Sequence, residues 1–239
     1  MATGPNQVWS WDITKLRGPV KWTYFYLYVV SPTGRNVLDV YSRHVVGRLL
    51  AERENAGLAR RLIRETAEKH GICEDQLTLH SDRGSPMVSH TLGELLTTLG
   101  ITPSFNRPRT CTDNPFSESH FRTLKYQPEF PARFGSYEDA LRFCREFFHW
   151  YNEEHYHSGI AYLTPATVHY GHADETRAKR QHVLNAAYQD HPERFVNQPP
   201  TTPELPPAVW INPPRQTTDD DHKHPTLLTN FEEQLSQTP

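Results

Sequence analysis

Three carboxylates occur where they could converge on a metal ion. Asp12 interrupts the apolar stretch VWSWDIT, Asp82 ends the stretch QLTLHSD, and Glu118 lies near the start of NPFSESHFRTLK. Aspartate is depleted from strands, and a buried charge is costly without a partner, so Asp12 needs a chemical reason for its position. If the strands that carry the two aspartates are neighbours, their carboxylates face each other and Glu118 can approach from an adjacent helix.

Converging carboxylates repel each other unless cations lie between them. Oxygen ligands suit Mg²⁺ or Mn²⁺, which keep open positions for water and phosphate. Two such ions, about 3.5–4 Å apart, can hold the attacking and leaving oxygens of a phosphodiester displacement. The residues alone also fit a simpler interpretation, in which each carboxylate caps a helix or pairs with a cation at the surface.

Basic residues near the third carboxylate are candidates for binding DNA phosphates. Glu118, Arg122 and Lys125 are spaced i, i+4 and i+7 and therefore share one face of the predicted helix. Arg107 and Arg109 lie in the preceding loop and could contact the same DNA backbone. Glu118 and Arg122 could equally form an ordinary helix ion pair.

The elements that must position these residues alternate along the chain. Aromatic and β-branched stretches predict strands at residues 8–14, 21–30, 37–40, 44–50, 77–82 and 101–105. Amphipathic stretches predict helices at residues 55–71, 89–100, 115–126, 137–155 and 174–189. An antiparallel start followed by alternating helices and strands predicts an α/β fold, with a mixed sheet whose first three strands are antiparallel and whose later strands are parallel.

Composition sets broad limits on the class of protein. The formal net charge is −3, which argues against a strongly basic nucleic-acid module but allows a local basic face. Three widely spaced cysteines form neither a disulfide framework nor a zinc pattern, and they indicate a reducing cytosol. No signal peptide or membrane-spanning apolar run is evident, so we expect a soluble intracellular protein without a membrane partner.

The assembled residues resemble the DDE family of transposases and integrases, which share a ribonuclease-H-like fold with the retroviral integrase core. The 35 residues between Asp82 and Glu118 are typical of that family, and Lys125 matches the basic residue that follows its glutamate. The chain is most similar to insertion-sequence transposases of the IS-three type, in their second reading-frame product. The segments that carry this similarity are NQVWSWDITKLRG, KWTYFYLYVV, HSDRGSPM, NRPRTCTDNPFSESHFRTLKY, FHWYNEEHYHSGI, LTPATVHYG and VWINPP.

The resemblance implies that Asp12, Asp82 and Glu118 are catalytic residues and ligands of two Mg²⁺ or Mn²⁺ ions. It implies a ribonuclease-H-like mixed sheet flanked by helices, and a transposase that cleaves DNA ends and transfers the strand to target DNA. Water and then a DNA 3′-hydroxyl would attack the phosphodiester in line. The expected partners are transposon ends, target DNA and further copies of the chain, in a bacterial cytoplasm at the nucleoid.

Two departures from the family pattern leave other functions open. The family's upstream helix-turn-helix region is expected to be missing or supplied by a separate subunit, because Met1 stands 11 residues before Asp12. About seven residues, Ser31–Val37, are inserted where the family pattern is continuous, and they must loop out or break a strand ladder. One alternative is an inactive remnant that binds DNA or transposase multimers. Another is a stand-alone nuclease of the ribonuclease H or resolvase kind.

The chain divides into three predicted regions. Residues 1–165 form the catalytic core, residues 166–197 a helical extension, and residues 198–239 a proline-rich acidic tail that is partly disordered. The apolar segment AVWINPP in the tail could dock onto the core or onto a partner, or it could stay unpaired.

Overall fold

The computed structural model describes residues 1–29, 37–82, 90–107, 115–196 and 198–211 of the 239-residue chain. The strands of the described part are β1 (Val8–Arg17), β2 (Tyr24–Val29), β3 (Val37–Asp39), β4 (Val45–Ala51), β5 (Thr78–Ser81) and β6 (Thr102–Phe105). Its α-helices are α1 (Ala56–Lys69), α2 (His90–Thr98), α3 (Pro115–Lys125), α4 (Tyr137–Glu153), α5 (Pro165–His169) and α6 (Ala173–Asp190). None of these helices is long and apolar enough to span a membrane.

The strands form one mixed sheet with β1 at its centre. Strand β1 pairs antiparallel with β2 and β3 and parallel with β5, and β6 continues the parallel part beside β5. Strand β4 pairs antiparallel with β2 and β3. The prediction of an antiparallel start and a parallel continuation is therefore confirmed.

Strands β2 and β3 behave as one strand interrupted by extra residues. Val29, the last residue of β2, pairs with Arg48 of β4, and Val37, the first residue of β3, pairs with the adjacent Gly47. The predicted insertion, Ser31–Val37, falls at this junction; residues 30–36 lie outside the described part of the chain, while Val37 belongs to β3. The ladder thus continues at neighbouring positions on both sides of the inserted residues.

Two apolar layers cover the two faces of the sheet. Trp9, Trp11 and Tyr28 are fully buried on one face, against α1 and α2. Leu16 and Leu27 are buried on the other face, against α3 and α4. Because side chains alternate along a strand, Asp12 shares its face with Leu16 and is directed towards the α3 layer.

The exposed edge of β4 is closed by side chains. The Asn152 side chain of α4 accepts a hydrogen bond from the Val45 N–H at 2.9 Å and donates one to the Val45 carbonyl at 3.2 Å. His70 Nε2 lies 3.2 Å from the carbonyl oxygen of Val46. These contacts satisfy backbone groups that a further strand would otherwise pair with.

The chain returns to the N-terminal strand near its described end. Val209 forms an isolated antiparallel bridge with Ala2, through backbone hydrogen bonds of 2.7 and 2.8 Å. Its side chain is buried with Val8 and Val40. The described part of the segment AVWINPP, residues 208–211, therefore docks onto the core through Val209. The division of the chain at residues 165 and 197 remains a prediction.

Helix termini follow local sequence signals. Asn55 Oδ1 accepts the Gly57 N–H at 2.6 Å and caps α1, and Ser136 Oγ accepts the Asp139 N–H at 3.0 Å and caps α4. Gly71 follows α1 with φ of 59°, the left-handed conformation that is common just beyond a helix end. Ser136 directly precedes Tyr137, the first residue of α4.

Candidate active site

Asp12 and Asp82 occupy neighbouring positions on adjacent parallel strands. Trp11 of β1 pairs with Ser81 of β5, and each aspartate is the next residue in its chain. Ser10 and His80 are another pair in this register, and each aspartate lies two residues after one of them. Because side chains two residues apart share a face of the sheet, Asp12 and Asp82 lie on the same face. Asp12 is only 3% exposed, whereas Asp82 is partly exposed. The predicted juxtaposition of these two strands is present.

The Asp12 carboxylate is held by its own strand and faces a cation of α3. The Ile13 N–H donates to Asp12 Oδ1 at 2.7 Å. Burial lowers the pKa of the Lys125 ammonium, and the nearby negative charge of Asp12 opposes that shift. The partly buried Lys125 ammonium therefore lies close enough to the Asp12 carboxylate for the two charges to interact.

Helix α3 carries Glu118 along the face of the sheet that contains Asp12. Phe121 and Leu124, on the same helix, are buried in the apolar layer with Leu16 of β1. The backbone of Glu118 is therefore three residues from a buried anchor, although its side chain is not among those described. The side chains that the structure describes do not include Glu118. Among them, no group of three or more His, Cys, Asp or Glu could hold a metal ion. Convergence of Glu118 on the two aspartates stays a prediction.

His80 supports the end of β5, two residues before Asp82. Its ring is 4% exposed, with Nδ1 3.0 Å from Ser104 Oγ and Nε2 2.8 Å from Asn106 Oδ1. Since a carbonyl oxygen can only accept, Nε2 carries the hydrogen and Nδ1 accepts from the serine hydroxyl. His80 therefore links β5 to β6 beside the candidate site.

Arg43, which sequence reasoning missed, anchors the start of α3. Its guanidinium lies 3.8 Å from the centre of the Phe116 ring. Burial lowers the pKa of Arg43 to about 10, while Tyr151 and Asp39 oppose the shift. Its φ of 66° places this non-glycine residue in the left-handed region, in the turn before β4. The tripeptide YSR gave no signal of this contact, which joins residues distant in sequence.

The predicted DNA-binding cations lie on two sides of the aspartates. Arg122 is exposed on α3, with its guanidinium 5.7 Å from the Tyr126 ring centre, one turn from Lys125. Arg107 is exposed beyond β6 and lines a cavity of about 620 Å³ together with His80 and Trp210. Arg109 lies outside the described residues.

Comparison with known protein families gives a consistent result. One family model, described as an integrase core domain, matches residues 2–111, and a second model with the same description matches residues 99–165. The chain belongs to the integrase core family of DDE transposases and integrases. The family assignment made from the motifs is therefore confirmed, and the family is that of DDE-type polynucleotidyl transferases.

Curated relatives of this integrase core are bacterial insertion-sequence proteins. It is 30% identical over 165 residues to the transposase for insertion sequence element IS904 of Lactococcus lactis, covering 69% of this chain and 61% of the relative. It is 28% identical to the insertion element IS600 uncharacterized 31 kDa protein of Shigella sonnei, covering 69% and 57%. It is 30% identical over 126 residues to transposase InsF for insertion sequence IS3A of Escherichia coli, covering 53% and 40%. The chain thus spans about three fifths or less of these relatives.

Solved structures similar to this integrase core show the same fold. The catalytic core domain of HTLV-2 integrase, in complex with magnesium, matches with a TM-score of 0.52 at 16% identity, covering 71% of this chain and 99% of that one. A chain of the simian T-cell lymphotropic virus intasome, in complex with the PP2A regulatory subunit B56 gamma, matches with a TM-score of 0.53 at 18% identity, covering 70% and 55%. The predicted ribonuclease-H-like fold is confirmed.

Proposed function

We propose that this integrase core performs metal-dependent cleavage of transposon DNA ends and transfers the cleaved strand to target DNA. The placement of Asp12 and Asp82 at neighbouring positions of adjacent parallel strands carries the proposal. Lys125 beside Asp12 adds a cation where a phosphate would approach. The bacterial transposases among its relatives support this function over that of a stand-alone nuclease.

Asp12, Asp82 and Glu118 are the proposed ligands of two Mg²⁺ or Mn²⁺ ions. All three offer oxygen atoms only, the donor set that these ions prefer, and two of them share one face of the sheet. When bound, such ions lower the pKa of an attacking water or 3′-hydroxyl and stabilise the charge of the reacting phosphate. Asp12 lies within β1 and Asp82 directly follows β5, so both proposed ligands stand on or beside paired strands, the rigid support that this chemistry needs.

The remaining site residues bind DNA in this proposal. Lys125 and Arg122 hold phosphates along α3, and Arg107 and Arg109 hold the strand on the β6 side. His80 acts as a positioning residue, because its hydrogen bonds to Ser104 and Asn106 tie the end of β5 to β6. A helix-turn-helix DNA-binding region would read the transposon ends in this proposal, and further copies of this chain would pair them at the nucleoid.

A disintegration assay tests the proposed chemistry directly. Branched DNA that mimics a joined end is incubated with the purified chain and Mn²⁺ or Mg²⁺, because this reaction needs the catalytic carboxylates but little end recognition. The parent chain should resolve the branch, and matched Asp82→Asn and Glu118→Gln variants should not. Failure of the folded parent chain with both metals would refute the proposed activity.

An inactive DNA-binding remnant is the second candidate. One observation favours it: Val29, the last described residue before the seven undescribed positions 30–36, pairs directly with Asp12. If the chain is such a remnant, the parent and its Asp82→Asn variant should bind the branched DNA with equal affinity, and both should leave the branch intact. Resolution by the parent chain alone would reject it.

A further inference from the structure

The hairpin between β1 and β2 carries basic and aromatic side chains that the candidate active site does not use. Lys15 pairs with Tyr26 across the strands, and Arg17 pairs with Tyr24. Lys15 Nζ lies 5.5 Å from the ring centre of Tyr26 and 5.8 Å from that of Tyr24. We define the hairpin surface by the residues Lys15, Arg17, Lys21, Trp22, Tyr24 and Tyr26.

Positive charge on the hairpin surface is not balanced by neighbouring carboxylates. The sequence between Asp12 and Asp39 contains no Asp or Glu, although the whole chain has a formal charge of −3. Within the described part of the chain, Lys15, Arg17 and Lys21 take part in no ion pair. Three exposed cations without carboxylate partners make a local site for a polyanion.

Trp22 stands at the tip of the hairpin surface in a backbone conformation that bulky residues rarely adopt. Its φ is 71°, and its side chain is 76% exposed. Lys21 Nζ lies 5.4 Å from its ring centre. A bulky residue at positive φ is strained, and strain of this kind persists where the surroundings impose it. The fold gains little apolar burial from so exposed a ring, so packing does not account for tryptophan at this position.

The turn that imposes this conformation is held by many hydrogen bonds. The Gly18 N–H donates to the Thr23 carbonyl at 2.8 Å, and the Thr23 hydroxyl donates to the Val20 carbonyl at 2.7 Å. Arg133 Nη1 donates to the carbonyls of Gly18 and Val20 at 3.2 and 3.1 Å. The turn therefore presents Trp22 rigidly, which lowers the entropy that a contact through this ring would lose.

We propose that the hairpin surface binds the DNA that flanks the reacting phosphate, with Trp22 stacking on an unpaired or terminal base; this inference rests on the proposed function. Stacking on an aromatic ring accepts any base, and lysine and arginine beside the ring hold the phosphates. Arg17 follows Asp12 by five residues of β1, about 17 Å at the rise of a strand. That length equals about five phosphate spacings along one DNA strand. Lys15 and Arg17 alternate with Asp12 along β1 and lie on its opposite face, so in this proposal the DNA passes from Asp12 round the tip of the hairpin at Trp22 to reach them.

The test measures DNA binding by the full chain without metal, in an Asp82→Asn background. A fluorescein-labelled DNA hairpin with a single-stranded overhang is titrated by anisotropy at several NaCl concentrations. Trp22→Gly removes the ring and suits the positive φ, so the backbone of the turn is retained. A triple variant, Lys15→Ala with Arg17→Ala and Lys21→Ala, removes the charge. Tyr156→Ala is the matched control, because Tyr156 is 60% exposed and has Arg180 at 5.5 Å from its ring centre.

Trp22→Gly should weaken binding by about 5-fold or more, the loss of one stacked base. The triple variant should reduce the slope of log K against log salt by about 2–3, close to one for each phosphate contact removed. Tyr156→Ala should bind as the background chain does, and all variants should keep its urea midpoint. Parent-like affinity and salt slope in both hairpin variants would overturn the proposal, as would weakened capture of a protein partner with unchanged DNA binding. Because no catalysis is measured, an inactive chain would refute the proposed function without affecting this readout.

Discussion

Replacing His120 by phenylalanine should make the fold less sensitive to acid. His120 lies on α3 and is only 1% exposed, with its ring stacked 5.8 Å from Phe148 and edge-on 4.3 Å from Tyr151. Neither ring nitrogen has a hydrogen-bond partner in the described part of the chain. A proton added to this ring would place a charge among aromatic side chains, which the folded state resists.

The size of the effect follows from the shifted pKa. Burial, with a smaller contribution from the neighbouring His157 and His155, lowers the pKa of His120 to about 3. Since the folded pKa lies below the unfolded value of about 6.5, neutral His120 contributes its full stability above pH 6.5. That contribution is lost as the pH falls, and at pH 5.0 the loss is about 2 kcal/mol, from about 1.4 kcal/mol for each pH unit below 6.5.

Urea titrations at pH 7.5 and pH 5.0 measure this loss. Unfolding can be followed by the fluorescence of Trp9 and Trp11, which are fully buried. His120→Phe should lose about 2 kcal/mol less stability than the parent chain between the two pH values. Any packing cost of the larger ring is the same at both pH values and cancels. His182→Phe, at an exposed position of α6, is the control and should lose as much as the parent. An equal loss in His120→Phe and the parent would refute the argument.

Three further predictions concern the elements that hold the sheet. Asn152→Leu should lower the free energy of unfolding, measured in urea, by about 2–5 kcal/mol, because it leaves the buried N–H and carbonyl of Val45 without partners. A loss below about 1 kcal/mol would show that water replaces the amide. Ser136→Ala should cost about 1 kcal/mol by the same measurement, since the Asp139 N–H loses its cap, with an unchanged midpoint contradicting that role. Deleting residues 30–36 joins Val29 to Val37, which pair with adjacent positions of β4. The variant should therefore keep the urea midpoint and the branch resolution of the parent chain. Unfolding of the variant would show that the ladder depends on the deleted residues.

The sheet and most helices could be predicted because their signals are local. The alternation around Asp12, the apolar run of β2 and the caps at Asn55 and Ser136 are each contained in a few residues. The antiparallel start and the parallel continuation of the sheet followed from the alternation of strands and helices. The sequence left open whether the strands that carry Asp12 and Asp82 are neighbours, and the parallel register of β1 and β5 shows that they are.

Features that join distant residues could not be predicted from local patterns. The closure of the β4 edge depends on Asn152, which lies 107 residues after Val45. The short helix α5 was missed, although Thr164 caps it and Pro165 begins it, because five residues give no periodic signal. The docking of Val209 on Ala2 joins segments near the two ends of the described chain, and the local sequence around either residue gives no signal of it.

The pairing of β1 bears on whether the extra residues disturb the candidate site. Asp12 pairs with Val29 on one side, at the boundary of residues 30–36. On its other side, the four register pairs between β1 and β5 run without interruption up to Trp11 and Ser81, the residues before the two aspartates. The relative position of Asp12 and Asp82 is thus set by the β5 side of the strand, where no residue is inserted. A deletion that alters only the β2 side should therefore leave the relative positions of the two carboxylates unchanged. For this reason, resolution of branched DNA by the parent chain is the result that we expect.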